Sequence, residues 1–125
     1  METTQGMSEF VIDRERAKED IGCDDEFLDE VLLDFAGEVG ISLENIDAAC
    51  DAGDWRRIGE IAHSVKGSAA TLCCIPLSKA SKQLEDFGYA CNDTVDRAMV
   101  NEMITNYRKE TDRLFEYVML LERSV

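Results

Sequence analysis

Residues 54–72 read Asp54-Trp55-Arg56-Arg57-Ile58-Gly59-Glu60-Ile61-Ala62-His63-Ser64-Val65-Lys66-Gly67-Ser68-Ala69-Ala70-Thr71-Leu72. Apolar side chains recur at Trp55, Ile58, Ala62, Val65, Ala69 and Leu72. Alternating steps of three and four make this the inward row of a bundle helix. Asp54 stands where an N-cap belongs, its carboxylate able to accept from the first unpaired N–H groups. His63, the only histidine of the chain, follows Ala62 and lies about 100° round from the core row. The register puts it on the outer face, with Gly59, Glu60, Lys66 and Gly67 one turn away and Arg56 and Ala70 two turns away.

The same period governs the rest of the chain, and β-branched alternation is absent. A short first helix is expected from Asp13 as N-cap to Gly22 as the residue just past its end. A long second helix starts near Asp24 or Asp25 and ends near Ala52-Gly53. Its apolar row is Phe27, Leu28, Val31, Leu32, Phe35, Val39, Leu43, Ile46 and Cys50. Pro76, the only proline, suits the first turn of a fourth helix with Leu77, Ala80, Leu84 and Phe87 inward. Gly88 and Cys91-Asn92-Asp93 are expected to end it. The last helix runs from about Thr94 to Glu122, with Val95, Met99, Met103, Tyr107, Leu114, Val118 and Leu121 on one face. Long helices joined by short loops predict an all-α fold, an antiparallel up-down-up-down four-helix bundle with a short extra N-terminal helix. Residues 1–7 read as a loose tail and residues 8–125 as one domain, without internal repeats, low-complexity tracts or a linker.

Composition narrows the function classes. The chain has 125 residues, 45% apolar and 32% charged, which suits a globular domain. No apolar run reaches the ~18 residues of a membrane span, and the polar N-terminus lacks the basic and apolar regions of a secretory signal. A cytoplasmic location is expected. A formal net charge of −14 argues against nucleic acid and anionic membrane as partners. Five cysteines without a C-x-x-C pair, beside one histidine, read as reduced, mostly buried small residues, and no metal site is expected.

Charge is unevenly distributed. Glu19 to Asp54 holds thirteen acids and no Lys or Arg; Trp55 to Lys82 holds five bases and one acid, Glu60. His63 therefore lies in a locally cationic segment. One reading is a solvated basic face; the sharper one is an anion beside His63. Gly59 and Gly67 each cost a helix about 1 kcal/mol relative to alanine. They serve either helix packing or clearance for another protein's backbone near the ring. Lys66 on the same face favours a neutral, nucleophilic imidazole and can pair with a bound anion. A metal ligand would want a second donor at i+4, where Gly67 stands.

The segment from Trp55 to Gly88 resembles the signature of histidine-containing phosphotransfer (HPt) domains of two-component phosphorelays. The family pattern is roughly Ala-His-x-hydrophobic-Lys-Gly-small-small with an aromatic about two turns earlier. Here it reads Trp55, then Ala62-His63-Ser64-Val65-Lys66-Gly67-Ser68-Ala69, followed by a similar Leu77 to Leu84-Glu85 run. The close match covers about a quarter of the chain. The resemblance implies that His63 is the phosphoacceptor, at Nε2, and that Lys66 stabilises the phosphoryl oxygens. It implies that Glu85 orients the imidazole through Nδ1–H, although Glu85 reads equally well as a surface acid. Gly59, Ser64, Gly67, Ala70 and Lys82 are assigned to the partner-binding surface. One departure is that the family commonly has glycine after Leu72, where this chain has Cys73 and then Cys74. That puts the turn geometry in question, or adds redox sensitivity.

The function expected from these residues is a phosphorelay carrier. His63 accepts a phosphoryl group from a receiver-domain aspartate or a histidine kinase and passes it to the aspartate of a response-regulator receiver. The expected partners are receiver domains and a sensor or hybrid kinase, with the protein itself a monomer. No cofactor is expected on this chain, Mg²⁺ belonging to the receiver. No G-x-x-x-x-G-K-[ST] loop is present, so no ATP-dependent kinase activity is expected. Two alternatives stand beside this reading. One is a non-catalytic receiver-binding scaffold or phosphate sink. The other is a phosphotransfer domain of a larger hybrid kinase, against which the Met1 start and a last helix reaching nearly to the end are weighed. The acidic stretch Glu19 to Asp54 reads either as a contributor to partner choice or as a solvated face.

Overall fold

The computed structural model describes residues 10–90 and 94–123. Among them are five helices and no strand: α1 (Arg14–Ile21), α2 (Asp25–Ala52), α3 (Trp55–Thr71), α4 (Ile75–Ala90) and α5 (Arg97–Arg123). The expected tail and the Cys91-Asn92-Asp93 segment lie outside the described residues. No helix among the described residues is long and apolar enough to cross a membrane.

Aspartates start four of the five helices, all but α4, and glycines stop two of them. The side chains of Asp13, Asp24 and Asp54 accept from Arg16 N, Phe27 N and Arg57 N. Each satisfies an N–H that has no partner within its helix. Gly22 and Gly53 follow α1 and α2 at φ 79° and 70°, the left-handed region where an L side chain is strained.

The four long helices close a ring in which each packs on two neighbours: α2 on α3 and α5, α4 on α3 and α5. The diagonal helices do not pack backbone to backbone. α2 and α5 run antiparallel, since Gly40 meets Phe115 while Asp47, later in α2, meets Arg108, earlier in α5. Inside sit Leu28, Leu32, Ile46, Ile58, Leu84 and Leu114, fully buried. A buried polar bridge crosses from α2 to α5, Ser42 Oγ lying 2.6 Å from Tyr107 Oη. Burial pushes the Tyr107 phenol up to about 12, against the opposing hydrogen bond from Ser42. α1 packs on α2 and α3 across one end of the bundle.

Four element-level expectations are corrected. Helix α5 begins at Arg97 rather than about Thr94, because Asp96 accepts from Ala98 N and Met99 N and so caps it. Its inward row runs through Val100, Ile104, Tyr107, Leu114 and Val118, which leaves Met99 exposed. Phe27, at the start of α2, is likewise exposed, because the row turns inward only at Leu28. Gly88 does not end α4. It lies buried within the helix, which continues to Ala90.

The turn from α3 to α4 is where the chain departs from the family pattern. Cys73 takes φ 58°, a left-handed conformation in a residue that is not glycine. Its N–H bonds Ala70 O at 3.1 Å and the next N–H, of Cys74, bonds Ala69 O at 2.8 Å. This pair of bonds is the Schellman closure, normally built around glycine. The geometry is kept, at the strain of one Cβ in the left-handed region. Both thiols are buried, and burial raises them, Cys74 to about 12. A thiol held protonated is a poor nucleophile and a poor redox sensor.

Candidate functional site

α3 and α4 cross in backbone contact. A Cβ built on Gly88 would sit 2.5 Å from Gly59 Cα and 2.6 Å from Trp55 O; one on Gly59 would sit 3.1 Å from Gly88 Cα. Both glycines are buried. Beside the crossing, Trp55 packs edge-on against Phe87 at 5.7 Å, with the Arg97 guanidinium 5.0 Å from the Trp55 ring centre. Gly59 is therefore a helix-packing residue. Its assignment to the partner-binding surface is corrected, because no partner can reach an atom enclosed between two helices.

One turn from this crossing on each helix, His63 of α3 meets Glu85 of α4. His63 Nδ1 lies 2.5 Å from Glu85 Oε2, and the side chains are 62% and 9% exposed. The other carboxylate oxygen, Oε1, takes Lys66 Nζ at 2.7 Å. Lys66, 31% exposed, is less open than the register suggested because it folds over α4 to reach Glu85. One buried carboxylate thus holds both functional side chains of α3. Lys66 first, and His63 second, keep that carboxyl below the usual range, so it is ionised at neutral pH.

The proton assignment follows. An ionised carboxylate can only accept, so Nδ1 must carry the hydrogen. In the neutral ring the lone pair then belongs to Nε2. No bond to Nε2 occurs among the described residues, and the ring projects from the bundle.

The surface around His63 is low. Ser64, Gly67 and Ala70 are exposed along α3, and a Cβ on Gly67 would meet nothing within 4 Å. Lys82 is exposed on α4 and pairs with Asp86 at 3.2 Å. On the opposite side His63 forms the rim of a cleft between α2 and α3, whose α2 wall includes Asp34, Phe35 and Glu38. These α2 residues were not singled out for the site in the sequence, although the acidic stretch that contains Asp34 and Glu38 was visible. Pairing of α2 with α3 is what brings them to the histidine. Among the described residues no three metal-ligating side chains cluster, so the site is one of imidazole, carboxylate and ammonium.

A family model for the Hpt domain matches residues 30–117. The chain belongs to the Hpt domain family. Hpt domains are helical bundles that carry phosphoryl groups on histidine in phosphorelays, and they interact with receiver domains and kinases. No curated protein matches the chain. Within this Hpt domain the match begins in α2 and ends in α5, so it takes in the His63–Glu85–Lys66 cluster and both walls of the cleft but not α1.

Proposed function

We propose that this Hpt domain is a phosphorelay carrier in which Nε2 of His63 accepts a phosphoryl group from a receiver aspartate and returns it to another. The observation that carries the reading is the pinned and exposed imidazole. Glu85 occupies Nδ1 and fixes the tautomer, while the side chain is largely exposed and Nε2 has no hydrogen bond among the described residues. In the transfer the Nε2–P bond forms as the acyl P–O bond of the donor breaks, and the donor carboxylate leaves. The ring keeps its Nδ1 hydrogen and becomes cationic, which the ionised Glu85 compensates. Handing on reverses these steps.

Phosphoryl transfer passes through a loose transition state, so positioning and charge neutralisation are the main contributions. Lys66 supplies the neutralisation by exchanging Glu85 for the phosphoryl oxygens. Gly67, without a side chain, lets the receiver approach. Ser64, Ala70 and Lys82 border the contact. Mg²⁺ belongs to the receiver.

The test is to mix the protein with a phosphorylated receiver and follow label. Label should appear on the wild type, be lost in acid as a phosphoramidate is, and be absent from His63→Gln. Transfer that persists in His63→Gln overturns the reading.

A further inference from the structure

The cleft between α2 and α3 has a volume of about 710 Å³ and opens beside His63. Its walls differ in chemistry. The α3 wall is small and hydroxylic, with Ser64, Gly67 and Ser68, and the floor includes Phe35. The α2 wall carries Asp34 and Glu38, both exposed and one turn apart.

The two carboxylates have no ion pair among the described residues. Three other acids of α2 are paired, Asp25 and Asp29 with Arg14 and Asp47 with Arg108; of the unpaired ones, Asp34 and Glu38 are those that line the cleft beside His63. Like charges one turn apart weaken a helix. The helix macrodipole helps acids only in the first turn, where Asp25 and Glu26 sit, and Asp34 and Glu38 lie beyond it. No ion pair among the described residues offsets their repulsion. A cationic partner would.

Any protein that brings an aspartyl phosphate to His63 covers this cleft. From Ser64 to Thr71 the α3 wall runs roughly 10 Å, about two turns of a partner helix. The low wall lets a helix backbone settle against α3, with an apolar side chain on Phe35. Its flank toward α2 then faces two unpaired carboxylates.

We propose that Asp34 and Glu38 are specificity determinants that select receivers whose docking helix presents lysine or arginine toward α2. The proposal rests on the phosphorelay reading and names the class of receiver that it serves. It concerns which receivers are served, and leaves the reaction at His63 unchanged.

The experiment compares wild type with the double variant Asp34→Lys/Glu38→Lys against a panel of isolated receiver domains sorted by charge on the helix beside their aspartate. Binding is read by titration, and transfer is read from protein loaded at His63 with phosphoramidate. Both side chains are exposed, and circular dichroism checks the fold. Receivers with a basic docking helix should bind the variant at least tenfold more weakly, with transfer reduced in parallel. The gap should shrink at high salt, and a Lys→Glu exchange on the receiver should restore binding. Loading by phosphoramidate should not change. Equal behaviour of the two proteins toward all receivers overturns the proposal, and so does a loss that ignores receiver charge. Failure of the phosphorelay reading looks different. Receivers then bind with the charge preference while no label moves through His63.

Discussion

Glu85 serves His63 and Lys66 at once, so its two simplest substitutions should separate the two services. In Glu85→Gln the amide oxygen still accepts from Nδ1, but the charge is gone and Lys66 is released. Glu85→Ala removes both contacts. Loss of a carboxylate that orients a histidine costs about 10–100-fold in metal sites, which gives the scale expected here. Glu85→Ala is expected to slow phosphotransfer by about that factor, and Glu85→Gln by less, in a rapid-quench assay. Equal rates in all three proteins would remove Glu85 from the mechanism. The ion pair also leaves a signature in acid. Because the folded carboxyl lies below the ordinary value of 4.5, its contribution is present above that pH and is lost as pH falls through the folded value. Stability measured by denaturant titration should therefore fall more steeply below about pH 4.5 in the wild type than in Glu85→Gln. Of this cluster, His63 and Lys66 were legible because they share one helix, where spacing sets the face. Glu85 was legible only through the resemblance, since nothing local tells a surface acid from one lodged across a helix crossing.

At the level of elements, three glycines in the helices around the site have opposite roles. Gly67→Ala meets open space and gains helix propensity, so it should stabilise the fold by about 0.5–1 kcal/mol while slowing transfer to receivers. Gly88→Ala drives a methyl group into backbone. Overpacking of that kind costs about 1–3 kcal/mol, and thermal melting should show a loss of several degrees. A stabilised Gly88→Ala would contradict the crossing as described. Gly59 and Gly67 read alike in the sequence because a helix glycine shows no preference for a neighbouring helix over a visiting protein. Gly88, the partner that decides the matter for Gly59, is twenty-nine residues away. The turn at Cys73 was open for a similar reason, since a left-handed φ is set by how α4 must pack. Cys73→Gly relieves about 1–2 kcal/mol of strain but gives up a buried thiol, so its melting temperature should stay close to wild type. Cys73→Val, β-branched in the same conformation, should be clearly less stable.

The whole molecule carries 27 acids against 13 bases, and many of its ion pairs are exposed and so weak, which makes net self-repulsion the expected outcome. Raising salt from about 10 mM to about 150 mM shortens the screening length from about 30 Å to about 8 Å. The melting temperature should rise, and a fall would mean that the ion pairs dominate. The helix count and the inward rows of α3 and α4 could be read from period alone, because burial of one stripe repeats at every turn. Which helices neighbour which, and how closely, depends on contacts between distant residues such as Ser42 with Tyr107, and no local pattern encodes these.

The contact of Gly59 with Gly88 has a consequence larger than packing. It works as a gauge. Glutamate is a short reach for bridging two helices, and at 2.5 Å from Nδ1 Glu85 has no slack. A single methyl group at the crossing, by wedging α3 from α4, would leave every chemical group of the site in place and lengthen the bond that aims the ring. Two residues with no side chain thus set the calibration of an instrument in which they take no chemical part. Damage to them should appear as a folded protein that receives its cargo slowly.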